Sequence, residues 1–291
     1  MKKLTVASMA ASVLLLATQA NAADLQLQAY KADQNAIFPV TSVLASGKKD
    51  AILFDAQFSV SDGKALVDMI KKSNKDLKMI YITAGDPDYY FGLQPLLKAF
   101  PNVKVMSSAS IVEHIEETKD AKLKYWGPIL GKNAPTKITT PEVLDQSTLT
   151  LEGHKIEIKA VGTPQAYMWV PESKTVFGGV SITSGMHVWT ADTQTKEKRS
   201  AWMQSLEQMK QLEPTVVIPG HYSGNLLKKD YAVDFTLSYL KTFEQALDAA
   251  KTQDAKQSEK LISIMKSAYP ALPGVNDLAF SSQVNTGEVK W

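Results

Sequence analysis

The residues with the strongest claim to chemistry are two carboxylates and an imidazole: Asp86 and Asp88 on either side of Pro87, and His221 closing the run Val217-Ile218-Pro219-Gly220-His221. Two carboxylates and one histidine can hold one divalent ion, and an ion so held turns water into hydroxide near neutral pH. The same two aspartates are equally suited to ordering a proline-containing loop through hydrogen bonds to its backbone. His187, in Gly185-Met186-His187-Val188-Trp189, is open to two roles, a pocket wall or a packed histidine. His114 falls on a predicted helix and His154 in a hairpin turn, where both read as structural. A metal-free serine mechanism finds no support. Gly179-Val180-Ser181-Ile182-Thr183 opens like a nucleophile elbow but ends in threonine where the second glycine is needed, and no other Gly-x-Ser-x-Gly occurs.

These residues need a scaffold, and the pattern around them alternates strands with helices. Leu25 to Tyr30, Phe38 to Ala45 and Ala51 to Phe54 read as strands, the last two joined by the turn Gly47-Lys48-Lys49-Asp50. A helix follows from Ser61 or Asp62, with Leu66, Val67 and Ile70 on one face. Met79 to Thr83 is a buried strand, and residues 84–88 form the loop that carries the aspartates. A helix through Leu93, Leu96 and Leu97, a strand at Val103 to Met106 and a helix through Ile111, Val112 and Ile115 come next. Residues 119–147 read as a long ordered loop. The second half restarts with a hairpin at Leu149 to Ile158, then strands at Tyr167 to Val170 and Thr175 to Phe177. A helix through Trp202, Leu206, Met209 and Leu212 precedes the strand Thr215 to Ile218, and the tail is helical, with Phe235, Tyr239, Phe243 and Leu247 on one stripe. This alternation predicts an α/β architecture.

The start of the chain reads as a secretory leader. Lys2 and Lys3 are followed by an apolar stretch from Leu4 to Ala17 and by Ala20-Asn21-Ala22, a small-residue cleavage site. The stretch is shorter than the roughly 20 residues that span a bilayer. The expectation is therefore a leader over residues 1–22, one domain over 23–291 whose part from 228 onward is helical, and a periplasmic or secreted location. Losing Lys2 and Lys3 leaves 30 basic against 30 acidic residues. That balance provides no electrostatic footprint for nucleic acid, nor for a membrane surface once the leader is gone. With no cysteine in the chain, disulfides, thiolate metal sites and a cysteine nucleophile are all excluded.

The segment Thr83-Ala84-Gly85-Asp86-Pro87-Asp88-Tyr89-Tyr90-Phe91-Gly92 resembles the metallo-β-lactamase family signature Thr-His-x-His-x-Asp-His-x-x-Gly. Thr83, Asp88 and Gly92 match, while Ala84, Asp86 and Tyr89 stand at the three histidine positions. The companions of that signature follow in family order. Asp55 stands at the Leu-x-Asp aspartate, Gly162-Thr163-Pro164 at Gly-His-Thr with Thr163 in place of the histidine ligand, and Phe177-Gly178-Gly179 at Phe-x-Gly-Asp with Gly179 in place of the bridging aspartate. Val217 to His221 resembles Val-Val-Pro-Gly-His and keeps its ligand. The resemblance implies an αββα sandwich of two mixed β-sheets with outer helices.

It also implies a degraded zinc centre. Of the seven family ligand positions only Asp88 and His221 keep the family residue, and Ala84 and Gly179 offer no side-chain donor at all. No cofactor is expected, apart from zinc or another divalent ion at low occupancy. The leading functional expectation is a non-catalytic protein that binds a small molecule, with Tyr89, Tyr90, Phe91, Trp169, Trp189 and His187 as candidate pocket wall; the same aromatics also suit a core. The alternative is a hydrolase of ester, lactone or amide bonds with a single ion at Asp86, Asp88 and His221.

Overall fold

A period of two along the strands builds the layers, because successive side chains of a strand point to opposite faces. In the computed structural model, which describes residues 13–15, 25–33, 36–144, 146–226, 231–251 and 256–291, the central strand β4 (Asp50–Phe54) shows this directly. Ala51 and Leu53 enter one core while Ile52 and Phe54 enter another. Strand β10 (Tyr167–Val170) divides the same way, with Tyr167 and Trp169 on its outer side and Met168 and Val170 on its inner side.

The first sheet runs β1 (Val13–Leu15), β2 (Gln26–Lys31), β3 (Thr41–Ser46), β4, β5 (Asp76–Tyr81), β6 (Lys104–Ser107) and β7 (Glu142–Val143), antiparallel up to β4 and parallel beyond it. The second sheet holds β8 (Thr148–Leu151), β9 (His154–Lys159), β10, β11 (Thr175–Phe177) and β13 (Val216–Ile218), with only the β11–β13 pair parallel. A parallel pair of two-residue strands, β12 (Thr183–Ser184) and β14 (His221–Tyr222), extends the site end. The two sheets face each other across a core in which the Phe54 and Phe177 rings meet edge to face at 4.9 Å.

Helices cover both outer faces. On the first lie α1 (Val60–Ser73), the short α2 (Pro87–Tyr90), α3 (Leu93–Ala99) and α4 (Ala109–Leu130); on the second, α5 (Lys196–Gln211), α6 (Tyr231–Ala250), α7 (Gln257–Ala268) and α8 (Val275–Asn285). The architecture is the expected αββα sandwich of two mixed sheets with outer helices. Among the described residues no helix is long and apolar enough to cross a membrane. The expected leader and its cleavage site lie outside the described residues, apart from strand β1, which pairs with β2.

The segment 119–147 differs from its reading as a loop. Helix α4 continues to Leu130, and a short 3-10 turn follows at Gly131–Asn133. Eight of the fourteen residues 113–126 are strong helix formers (Glu, Lys, Ala and Leu), and Leu123, Trp126 and Leu130 pack against the first core. Pro128 lies inside the helix, two residues before its last, and removes one amide bond to the preceding turn.

At the edge far from the site the sheets are clasped by one carboxylate. Glu152, in the β8–β9 turn, accepts hydrogen bonds from three consecutive amides of the β3–β4 turn, those of Lys48, Lys49 and Asp50, at 2.6, 2.7 and 2.7 Å. Those amide bonds hold its carboxyl below the usual glutamate range.

Candidate functional site

The candidate residues gather where β4 and β5 end and the chain crosses between the sheets. Asp55 follows β4 in the left-handed region (φ 65°) and is 1% exposed. Its carboxylate accepts from the Thr83 backbone amide at 2.7 Å and from the Thr83 hydroxyl at 2.6 Å. The same hydroxyl oxygen accepts from the Gly179 amide at 2.8 Å, so the chain Asp55–Thr83–Gly179 ties the first sheet to the second. Burial pushes the Asp55 carboxyl up to about 8, against the opposing pull of the Thr83 hydrogen bonds.

Across this bridge, Tyr89 donates its hydroxyl to the Gly179 carbonyl at 3.1 Å, and Tyr89 Oη lies 3.4 Å from His221 Nδ1. The other imidazole nitrogen, Nε2, lies 2.6 Å from Asp88 Oδ2. Tyr89 is fully buried, and burial, followed by Asp88, keeps its phenol protonated well above the ordinary tyrosine range. Asp88 and His221 are therefore paired with each other, and the phenol fills the space beside them.

The backbone around the pair is closely packed. A Cβ on Gly220 would stand 2.1 Å from the Gly179 carbonyl oxygen and 2.7 Å from Tyr89 Oη. Gly179 itself lies at φ +72°, and a Cβ there would meet the Ala166 carbonyl oxygen at 2.1 Å. No side chain fits at 179, which corrects its reading as the place of a lost aspartate. The fourth residue of the Phe-x-Gly-Asp pattern falls on Val180, which is partly buried against the first core.

Asp86 pairs instead with a lysine. It stands at the N-cap of α2, before a proline at the first helical position, and 3.5 Å from the Lys122 ammonium of α4. With 39% of its side chain open, its carboxyl is still raised to about 6, by burial first, against the pull of Lys122. Lys122 also donates to the Gly85 carbonyl at 3.0 Å and contacts His114 Nε2 at 3.0 Å. Burial and the lysine together hold the His114 imidazole below its ordinary value. Two further acids border the site. Burial raises Asp277 of α8 to about 6, against the pull of His221, and Asp192 accepts the indole N–H groups of Trp189 and Trp291.

The remaining expected residues lie elsewhere. Thr163 is exposed in the β9–β10 loop, its hydroxyl donating to the Ala160 carbonyl and accepting from the Gln165 amide. Ala84 is 6% exposed and packs in the first core, and Tyr90 and Phe91 are each 1% exposed within that same core. His187, also 1% exposed, lies 3.0 Å from the Tyr239 hydroxyl through Nδ1, and burial lowers its pKa. Trp169 belongs to the second core. Apart from Trp189, which stacks on Phe280, the aromatics expected as pocket wall are interior packing, so Tyr90 and His187 do not line an open pocket. Lys122, Asp192 and Asp277 carry no signal in the motif, and Lys122 falls in the segment whose composition reads as a loop. Among the described residues no three His, Cys, Asp or Glu side chains converge on one point as a metal site would need.

The sequence matches the family model of the metallo-beta-lactamase superfamily over residues 36–221, a span that takes in every motif position from Asp55 to His221. Solved structures share the fold. They include the DIM-1 metallo-beta-lactamase (18% identity over 79% of this chain and 97% of that one, TM-score 0.53). A metallo-beta-lactamase family protein from Thermus thermophilus matches at 15% identity over 89% and 91%, with a TM-score of 0.63. A beta-lactamase domain protein from Burkholderia ambifaria matches at 10% over 89% and 84%, also with a TM-score of 0.63. No curated protein sequence matches the chain. Identities this low carry the fold alone, and the family model carries the membership: the chain belongs to the metallo-beta-lactamase superfamily.

Proposed function

We propose that this is an exported, non-hydrolytic member of the superfamily that works without metal and engages a small molecule at the rim of the former zinc centre. One observation carries the reading: Asp88 and His221, the two family ligands that remain, satisfy each other at 2.6 Å while the buried Tyr89 phenol takes the space beside them. Zinc with an open position for water needs about three nitrogen, sulfur or carboxylate donors. The residues present do not fit it. Ala84 and Val180 have no donor, Tyr89 holds its proton, and Thr163 bonds within its own loop. What stays open is the rim, where Asp86 keeps 39% and His221 18% of its side chain exposed.

The hydrolase alternative, one ion at Asp86, Asp88 and His221, has the closeness of Asp88 and His221 in its favour. It requires Asp86 to leave Lys122 and the Asp88–His221 hydrogen bond to break. Elemental analysis after exposure to zinc and gel filtration decides between the two. The expected result is no stoichiometric zinc and no metal-dependent hydrolysis of β-lactams, lactones or thioesters. About one zinc per chain, retained by wild type and lost in His221→Ala, would establish the hydrolase instead.

A further inference from the structure

The loop that carries the metal-binding histidines in this superfamily is residues 84–89 here, and a lysine from another element holds it. Lys122 lies on α4, eight residues after His114 and so on nearly the same helix face. Its ammonium donates to the Gly85 carbonyl at 3.0 Å, lies 3.5 Å from the Asp86 carboxylate and touches His114 Nε2 at 3.0 Å. His114 in turn presses on the loop so closely that a Cβ on Gly85 would stand 2.6 Å from His114 Cδ2. Asp86 occupies one of the vacated histidine positions, so the ammonium sits against a residue that faces a metal ion elsewhere in the superfamily.

We infer that Lys122 is the resident cation of this site, an internal ammonium that balances charge and fixes the 84–89 loop where the superfamily uses metal. The inference rests on the metal-independent reading above and adds to it the group that makes metal unnecessary. Three donors on one nitrogen suit the role, since they reach a carbonyl, a carboxylate and an imidazole together. With only 20% of the lysine side chain exposed, these contacts are partly shielded from water and salt. Lysine is here a positioning residue and takes part in no reaction.

The test compares thermal unfolding of wild type, Lys122→Met and Lys122→Arg, each in EDTA and in excess zinc. Wild type should melt at one temperature in both. K122M should melt about 3–6 °C lower in both, because the Gly85 carbonyl and the Asp86 carboxylate lose their cation and one freed carboxylate supplies too few donors to hold zinc in its place. K122R, which keeps a cation, should stay nearer wild type in EDTA and gain nothing from zinc. A K122M protein that melts with wild type overturns the inference, as does one whose loss is matched by K122R. Should K122M fail to purify, Lys122→Gln and Asp86→Asn carry the same comparison. Zinc retained by wild type in elemental analysis sinks the metal-independent reading instead, a result separate from any of these melting shifts.

Discussion

Aspartate at Gly179, one residue short of the bridging-aspartate position at Val180, is a change that the backbone of the site takes only at a large cost. Three terms add. A non-glycine residue at φ +72° costs roughly 1–2 kcal/mol. The new Cβ starts 2.1 Å from the Ala166 carbonyl oxygen. It cannot relax by rotating a side chain, because the obstacle is backbone, and overpacking of this kind costs about 1–3 kcal/mol. Moving the peptide also strains two hydrogen bonds, from the Gly179 amide to Thr83 and from Tyr89 to the Gly179 carbonyl, worth about 1 kcal/mol each. The expected loss for Gly179→Asp is therefore about 4–7 kcal/mol, which lowers the melting temperature by about 10–25 °C for a domain of this size. Circular dichroism melts of wild type, G179D and Val180→Asp make the comparison. Val180 is only partly buried, so V180D is expected to lose less than half as much. A G179D protein that melts within about 3 °C of wild type would refute the steric argument.

Two other outcomes follow from buried charge. Because the folded-state pKa of Asp55 is raised to about 8 while the unfolded value is about 3.9, the folded protein binds the proton more tightly between those limits. Its contribution to stability is then fully present below about pH 4 and is lost as pH rises through 8. Asp55→Asn should flatten the part of the stability profile between pH 6 and 8, measured by urea unfolding, and an unchanged slope would reject the assignment. Arg199 of α5, with 6% of its side chain exposed, pairs with Glu244 of α6 and bonds Asn285 of α8 and the Thr193 carbonyl. Removing it in Arg199→Ala strands the Glu244 carboxylate and is expected to cost about 3–5 kcal/mol; a loss under 1 kcal/mol in chemical denaturation would show that the network adds little.

The motif order was legible in the sequence because strand ends and tight turns leave few residue choices. Asp55 and Thr83 bond each other where the first sheet ends, and Asp88 and His221, 133 positions apart, meet at 2.6 Å. The strands were legible for the same reason, since Ala51 to Phe54 and Tyr167 to Val170 alternate between two cores. The rest depended on tertiary packing that local pattern does not encode. Pro128 and the glycines around it suggested a loop where the first core instead keeps α4 helical through Leu123, Trp126 and Leu130. The tyrosines after Asp88 had composition suited to a pocket or a core, and only burial decided for the core. Gly179 matched a motif by proximity in sequence, but its backbone angle and the Ala166 carbonyl leave no place for a side chain.

The Glu152 clasp bears on how such a protein can come to exist. Strand β4 begins under that clasp at Asp50 and ends beside Asp55, roughly 17 Å along at the rise of a strand. The far edge of the sandwich is thus fastened by one carboxylate on three amides, and the near edge by Thr83 between Asp55 and Gly179. Neither fastening uses a position that carries a metal ligand in the family signature. A lineage with this arrangement can lose its ligands one at a time without crossing the stability threshold below which selection removes a chain. Substitution at the ligand positions of the signature is then separated from survival of the fold.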